Sequence, residues 1–188
     1  MGRWDPDAAG RLREAAMRLY VERGYEQTTV ADIAGEAGLT ARTFFRHFAD
    51  KREVLFAGSE LLLARMVEAL DAAPAADGPM RAVAAALAAA AQVLGHDPEF
   101  SRRRQSVIDT AAELRERELI KMVTIAEALT EGLRRRGVPA RDASLAAEAG
   151  IVVFRVAWVQ WLADAANPDL GKLMAATLDR LTTVTATH

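Results

Sequence analysis

Residues 29–48 read TVADIAGEAGLTARTFFRHF and contain two helix starts with a glycine between them. Thr29 can cap a helix that begins at Val30, and Asp32 stands three positions later, at the capping-box spacing. Gly38 ends that helix early, and Thr40 can cap a second helix over residues 41–48. Two short helices joined by a tight turn with glycine form a helix-turn-helix, which presents its second helix to the major groove of DNA.

The polar side chains of this stretch are of the kinds that contact DNA bases and phosphates. Arg42 and Arg46 lie four residues apart and therefore share one helical face, with Thr43 beside them. Arginine reads guanine bidentately, and each such pair contributes about 1–3 kcal/mol of discrimination between bases. Thr29 and Thr40 place hydroxyls and free backbone N–H groups at helix N-termini, where phosphate oxygens bind. The alternatives are plain helix caps for the threonines and a solvated face for the arginines.

Residues 8–56 resemble the DNA-binding domain of the TetR family of transcriptional regulators. The resemblance is carried by YEQTTVADIA at residues 25–34, AGLT at 37–40, TFFRHF at 43–48 and DKREVL at 50–55. It implies an obligate homodimer that binds a pseudo-palindromic double-stranded DNA operator and is released by a small molecule bound in the C-terminal domain.

The resemblance also implies a DNA-binding surface, residue by residue. Phosphate contacts fall on Thr29, Thr40, Phe45, His47 and Lys51, and base contacts on Ala41, Arg42, Thr43 and Arg46. The chain departs from the family at two of these positions. The family usually has tyrosine where this chain has Phe45. The hydrogen bond from that hydroxyl to a phosphate is therefore absent here, and only packing of the ring against the sugar remains. Many relatives have a small residue in place of Arg42, which predicts an additional base contact here.

Composition limits the other classes of function. The 188 residues contain 40 alanines and no cysteine, 51% are hydrophobic and only 6% are aromatic. Abundant alanine favours helices, and the lack of cysteine excludes disulfides, thiolate metal sites and cysteine nucleophiles. The formal net charge of −2 argues against a protein that is basic all over. Leu39–Arg52 nevertheless holds four basic residues against Asp50 alone, so the positive charge is local.

Neither an enzyme nor a metal site is expected. The sequence lacks the glycine-rich nucleotide motifs, GxSxG and HExxH. The three histidines, at positions 47, 96 and 188, are too scattered for a metal site or a catalytic dyad. No cofactor is implied. The first ten residues, MGRWDPDAAG, contain no apolar run, and the most apolar stretch, residues 149–163, is too short to span a membrane. The expected location is therefore the cytoplasm, without a membrane partner.

The remaining sequence predicts an all-α fold of about nine helices. One helix runs from Asp5-Pro6 to Gly24, and Asp50-Lys51-Arg52-Glu53 predicts the start of a long helix through about Leu70. Later helices are expected over 80–94, over 99–136 with a bend near 110–113, over 140–165, and from Asn167-Pro168 onward. We expect a three-helix DNA-binding domain over residues 5–52, with its helix-turn-helix at about 30–49. A larger ligand-binding and dimerisation domain would cover 53–188.

The helix over residues 140–165 is apolar on all sides, which indicates burial on all sides. A partner subunit would cover the face outside the domain's own core, so the predicted dimer contacts are Val152, Val156, Val159 and Leu162. The TetR resemblance implies the same arrangement, with the last two helices of each subunit paired in a four-helix bundle.

The ligand pocket is predicted from apolar residues of the C-terminal helices, each of which also fits ordinary core. The candidates are Leu63, Met66, Leu87, Ile108, Met122, Ile125, Phe154 and Trp158. No charged residue stands isolated on an apolar face, so we expect an apolar or amphipathic effector. Residues 106–119 and 154–162 resemble regulators related to mycofactocin and to fatty acyl-CoA sensing, which implies an acyl-CoA-like ligand. Arg102-Arg103-Arg104 is either surface charge or a rim that holds an anionic head group.

The sequence thus predicts a ligand-responsive repressor. An activator with the same fold would differ only in operator position. A helical scaffold or small-molecule-binding protein with a degenerate helix-turn-helix is the alternative outside this class, and it would have no affinity for the DNA upstream of its own gene.

Overall fold

A computed structural model of the chain describes residues 7–166 and 168–186, and these residues form nine α-helices and no strand. The all-helical prediction is confirmed. The expected helix start at Asp5-Pro6, and Asn167 before the last helix, lie outside the described residues. The helices are α1 (Ala8–Arg23), α2 (Val30–Glu36), α3 (Ala41–His47), α4 (Ser59–Ala72), α5 (Pro79–Leu94), α6 (Pro98–Thr110), α7 (Ala112–Arg135), α8 (Ala140–Ala163) and α9 (Leu170–Thr185).

The chain divides into two compact units. Unit 1 contains the residues up to Gly58 together with Arg102–Glu118, and unit 2 contains Ser59–Ser101 and the residues from Leu119 onward. Helices α6 and α7 therefore each contribute residues to both units. The bend expected near 110–113 is confirmed as a break at Ala111, between the end of α6 and the start of α7.

The core of unit 1 is formed where α1, α2 and α3 pack against one another. Leu12, Ile33 and Phe44 are fully buried, and the rings of Phe44 and Phe48 lie 5.6 Å apart. Gly24 ends α1 with a φ of 86°, a left-handed conformation that glycine adopts without strain. The buried residues of α1, which include Leu12, Ala16, Leu19 and Tyr20, recur at three- and four-residue spacing and so lie on one face of the helix.

The long helix predicted from Asp50 is wrong at its start. Residues 51–58 form successive turns with bonds of the i to i+3 kind, such as Leu55 N to the Arg52 carbonyl oxygen at 3.0 Å, and α4 begins only at Ser59. Asp50 does act as a cap, because its Oδ1 accepts bonds from the backbone N–H groups of Arg52 and Glu53 at 2.8 and 3.1 Å. Gly58 then takes a φ of +91°, which interrupts any helix that continues from those turns.

In unit 2, α4 packs on α5, and α5 packs on α8 and α9. Alanine makes the close contact of α5 with α8 possible, since Ala82, Ala86 and Ala147 are fully buried. Gly150 of α8 approaches so closely that an added Cβ would lie 2.6 Å from Cγ1 of Val83. The indole N–H of Trp161 donates to the Pro168 carbonyl oxygen at 2.8 Å and joins α8 to the segment before α9.

One arginine closes the end of α4. The Arg136 guanidinium donates to the carbonyl oxygens of Leu70, Ala73 and Pro74 at 3.1, 2.8 and 2.7 Å. These carbonyls lie in the last turn of α4 and just after it, where the i to i+4 bonds of the helix end. The cationic donor therefore stabilises the transition from α4 to the loop that precedes α5.

Helix α8 is the one described helix that is long and apolar enough to cross a membrane by length and composition. Half of its most apolar window is buried inside the fold, as in a core helix.

Candidate nucleic-acid interface

Helix α3 presents an exposed face opposite its buried one. Phe44 is fully buried in the core of unit 1, whereas Ala41, Arg42, Phe45 and Arg46 are exposed. This follows from the helical period, because residues 42, 45 and 46 share the side that faces away from 44 and 48. The exposed face combines two guanidinium groups with an aromatic ring, which suits the contacts that proteins make with base edges and the sugar-phosphate backbone.

Thr40 caps α3 as the sequence predicts. Its hydroxyl oxygen accepts a bond from the Thr43 backbone N–H at 3.2 Å, and the two threonine hydroxyls lie 3.1 Å apart. Thr40 is exposed and Thr43 is half-buried. The cap gives the Thr43 N–H an acceptor, and a phosphate oxygen can accept from the N–H groups of the first turn, which have no acceptor within the helix.

Thr29 forms a complete capping box at the start of α2. Its hydroxyl oxygen accepts from the Asp32 backbone N–H at 3.1 Å, and the Asp32 carboxylate accepts from the Thr29 backbone N–H at 2.9 Å. Hydrogen bonds from Thr29 lower the pKa of Asp32. The cap is therefore formed by an ionised carboxylate at neutral pH, and the exposed Thr29 fits both capping and a phosphate contact.

Phe45 and His47 extend the exposed face along α3. Phe45 is 58% exposed, and its ring stands edge-on to that of Phe44 at 5.5 Å. His47 is exposed, and its Nε2 lies 3.4 Å from Nη2 of Arg46. Because Phe44 is buried and Phe45 is exposed, the ring of Phe45 is available to pack against a sugar or a base.

Lys51 has partners inside unit 1. Its ammonium donates to the carbonyl oxygens of Tyr25 and Thr28 at 2.9 and 3.1 Å and lies 4.2 Å from the centre of the Tyr25 ring. Tyr20 donates in turn to the Lys51 carbonyl oxygen at 2.6 Å. An ammonium has three donors, so one remains for the predicted phosphate contact.

Tyr20 and Tyr25 were missed as contributors to the site. Burial raises the pKa of both phenols, so both stay protonated. They are the two tyrosines of the chain, and Tyr25 is the first residue of the YEQTTVADIA stretch that carries the TetR resemblance. That position is the signal that could have found Tyr25. Their role is to hold Lys51 and the loop before α2.

Arg52 forms an ion pair with Asp50 at 2.6 Å. The hydrogen bond from Arg52 lowers the pKa of Asp50, so the carboxylate that caps the turn after α3 is also ionised at neutral pH. This pair removes Arg52 from the positive charge available to DNA and leaves Arg42, Arg46 and Lys51 as the basic groups of the segment.

The nine predicted DNA-binding residues all lie in unit 1. Seven of them are exposed, and Thr43 and Lys51 are half-buried. They occupy the N-termini of α2 and α3, the exposed face of α3 and the turn that follows. Contact with DNA remains a prediction for each residue.

The predicted pocket residues do not all lie together. Five belong to one buried apolar cluster of unit 2, and two more pack against it: Met66, Leu87, Ile125, Phe154 and Trp158, then Leu63 and Met122. Ile108 is fully buried but belongs to unit 1. Phe154, Trp158 and Trp161 form a stacked series along α8, with ring centres 6.1 and 5.2 Å apart. These aromatic rings provide a large apolar surface in unit 2.

Three of the four predicted dimer residues lie on the surface of α8. Val152, Val156 and Val159 are 50, 44 and 66% exposed, whereas Leu162 is partly buried and packs against the core of its own unit. Leu145, which is 70% exposed, lies one heptad before Val152. Alternating steps of three and four residues link these valines, as in the contact seam of paired helices.

Comparison with known proteins agrees with this architecture. Residues 12–57 match the family described as bacterial regulatory proteins of the tetR family, and residues 77–186 match the MftR C-terminal domain. A curated relative is the HTH-type transcriptional regulator TcmR of Streptomyces glaucescens, which is 40% identical over 78 residues. That alignment covers 42% of this chain and 34% of the relative, so the chain spans about a third of the length of TcmR.

Solved structures match over nearly the whole chain. The FadR repressor of Thermus thermophilus in complex with lauroyl-CoA has a TM-score of 0.59 at 23% identity, covering 96% of each chain. The FadR regulator of Bacillus subtilis in complex with stearoyl-CoA has a TM-score of 0.61 at 23% identity, covering 95% of this chain and 99% of that one. At this identity the likeness concerns the fold.

Proposed function

Because the chain belongs to the TetR family of transcriptional regulators, we propose that it is a ligand-responsive DNA-binding repressor and not an enzyme. The single observation that carries the proposal is the exposed face of α3, where Arg42 and Arg46 stand beside a capped helix N-terminus. The proposed division of labour follows the predicted domains, with residues 5–52 for DNA and 53–188 for ligand and dimerisation.

The proposed contacts separate into two classes. Ala41, Arg42, Thr43 and Arg46 meet base edges in the major groove and select the sequence. Backbone contacts come from Thr29, Thr40, Phe45, His47 and Lys51, and these set position and affinity. The departure at Arg42 predicts a base preference that relatives with a small residue at this position lack.

The proposed working form is a homodimer on a pseudo-palindromic operator. The support is the exposed valine seam of α8, because surface apolar residues at heptad spacing need a complementary partner. A second copy of the chain supplies the same seam, and two-fold symmetry places two copies of α3 on two half-sites of the DNA.

The proposed effector is an apolar or amphipathic small molecule in unit 2. The aromatic series of α8 and the buried methionine and leucine side chains around it favour an acyl chain. The two FadR structures with bound acyl-CoA are consistent with this class. Binding would shift the equilibrium between two arrangements of the dimer, of which one fits the operator. Such a regulator acts in the cytoplasm.

The test combines operator selection with effector release. The wild-type chain is used to select duplexes from random DNA, and the winning duplex is labelled for fluorescence anisotropy. Lauroyl-CoA and stearoyl-CoA are then titrated into the complex, with free coenzyme A as the control. We expect an inverted-repeat duplex and release by at least one acyl-CoA. Failure to enrich any sequence contradicts the DNA-binding proposal, whereas enrichment without release contradicts only the acyl-CoA proposal.

A further inference from the structure

We infer that Arg104 is a positioning residue of the DNA-binding unit, through which the corner between α6 and α7 fixes the start of α2. The inference deepens the proposed DNA-binding function and rests on it. Unit 1 is discontinuous in sequence, because it contains residues 102–118 in addition to the N-terminal segment. Residues 102–118 are the corner between α6 and α7.

The corner between α6 and α7 has a buried apolar side. Ile108 and Leu114 are fully buried, and Val107 and Ala111 are 4 and 5% exposed. Arg115 donates to the Asp109 carbonyl oxygen at 2.6 Å and closes the turn between the two helices. A corner with this much buried apolar surface belongs to the core of its unit and is not a mobile surface loop.

Arg104 links the corner to the segment that follows the helix-turn-helix. Its Nε donates to the Leu55 carbonyl oxygen at 2.6 Å, and its guanidinium carbon lies 5.0 Å from the centre of the Phe56 ring. Nη1 lies 3.7 Å from the Glu118 carboxylate, and the side chain is only 20% exposed. A planar group with several donors, stacked on a ring, satisfies a turn carbonyl and a carboxylate at once.

Two further interactions join the corner to the N-terminal segment of unit 1. Nε of Arg117 donates to the Glu53 carboxylate at 2.6 Å, and this bond raises the pKa of Arg117. Burial raises the pKa of the Tyr25 phenol, and the nearby Glu113 carboxylate raises it further. The corner therefore binds the turns of residues 51–57 at two positions, Leu55 and Glu53, and places a carboxylate near Tyr25 in the loop before α2.

Lys51 extends this arrangement to the DNA-binding surface. It stands at the start of the turns that Arg104 holds at Leu55, and its ammonium donates to the carbonyl oxygens of Tyr25 and Thr28. Thr28 immediately precedes Thr29, the N-cap of α2. A displacement of the corner would thus reach the N-terminus of α2 through Leu55 and Lys51.

Arg102-Arg103-Arg104 is consequently not a single surface cluster. The Arg104 side chain is 20% exposed and lies against Leu55 and Phe56, whereas Arg103 is exposed. Of the two alternatives for this segment, plain surface charge does not describe Arg104, whose side chain is only 20% exposed, because adjacent residues on a helix point about 100° apart. Arg103 therefore supplies a control with the same change of charge on the same helix. A rim for an anionic head group remains a prediction.

The test compares Arg104→Gln with Arg103→Gln in the full chain by amide hydrogen exchange and mass spectrometry. We expect Arg104→Gln to raise exchange about tenfold in peptides covering 25–36 and 51–57 and to leave Ala140–Ala163 unchanged, because a charged hydrogen bond contributes enough free energy for that factor. Glu53→Gln raises exchange in the same two segments to a smaller extent. Arg103→Gln changes neither segment.

Affinity for the selected duplex completes the test. Arg104→Gln weakens binding about tenfold, and Arg103→Gln changes it less than about twofold, although neither residue is placed on DNA. Equal exchange in the two variants overturns the inference, and so does a loss of protection that extends through Ala140–Ala163. If the wild-type chain selects no duplex, the proposed DNA-binding function is contradicted. The exchange data still decide whether Arg104 positions α2.

Discussion

Arg42 and Arg46 are the side chains proposed to select the DNA sequence, and both are exposed on α3. Replacing Arg46 by Ala removes one bidentate donor and is expected to cost about 1–3 kcal/mol of operator binding and to relax selectivity at one base pair. Fluorescence anisotropy with the selected duplex and single-base variants measures both effects. The control is Arg141→Ala, which removes an exposed charge from α8. Equal losses in the two variants would show that Arg46 contributes only charge.

Lys51 has two roles that one substitution separates. Lys51→Met keeps the length of the side chain and removes the donor to the Tyr25 and Thr28 carbonyl oxygens, so we expect a loss of about 1–3 kcal/mol in the free energy of unfolding. If the third donor also contacts a phosphate, the slope of log affinity against log salt falls by ~0.9. Lys172→Met, an exposed lysine of α9, serves as the control. An unchanged urea midpoint would contradict the structural role.

The sequence predicts that Lys51 contacts a phosphate but does not predict its hydrogen bonds to the Tyr25 and Thr28 carbonyl oxygens, and the positions of these partners explain why. The capping residues Thr29 and Thr40 could be predicted because their partners lie three positions away. The carbonyls that Lys51 binds lie 26 and 23 residues away, and the Arg104 contact spans 49. Local patterns contain no information on contacts at such separations, whereas the buried faces of helices follow from period alone.

At the scale of elements, residues 50–72 can be one helix from Asp50, as the sequence predicts, or a series of turns followed by α4 from Ser59, as in the structure. If a helix ran from Asp50, Gly58 would lie in its interior and Gly58→Ala would stabilise the chain by about 1 kcal/mol. The structure places Gly58 at a φ of +91°, where alanine is strained, so we expect a loss of roughly 1–2 kcal/mol. Gly35→Ala, in α2 with open space around it, is expected to stabilise by about 0.5–1 kcal/mol. Urea unfolding of both variants decides between the two signs.

The error over α4 has a physical origin. Asp50 followed by Glu53 is a genuine cap, and the apolar residues beyond it recur at helical spacing, so the local signals favour one helix. The turns of residues 51–58 are instead held by contacts with the corner between α6 and α7, at Glu53 and Leu55. Tertiary contacts override local propensity here, which no reading of residues 50–72 alone could reveal.

At the scale of the whole molecule, the exposed seam of α8 predicts the oligomeric state. Val156→Glu places a carboxylate in the centre of the seam and is expected to convert a dimer to monomer at micromolar concentration, since an unpaired charge in an apolar interface is costly. Ser144→Glu introduces the same side chain at an exposed position about 120° around α8. Sedimentation equilibrium of both variants and the wild-type chain measures the change. A wild-type chain that is monomeric at this concentration would contradict the dimer proposal.

The two units explain how a chain with a net charge of −2 can act on DNA. Helix α3 carries the exposed Arg42 and Arg46 and no acidic residue. The apolar core of unit 2 and the exposed valines of α8 are the proposed ligand and partner surfaces. In the proposed complex the phosphates meet the local positive charge of α3, which the net charge of the whole chain does not describe.

The most direct test of this account is the affinity of the wild-type chain for its selected duplex and for a scrambled duplex of equal length and composition, both at 150 mM salt, which is about physiological ionic strength. We predict that the selected duplex is an inverted repeat and binds at least ~10³-fold more tightly than the scrambled one, as is typical of specific recognition. Equal affinity for the two duplexes would contradict the central claim that α3 reads DNA sequence.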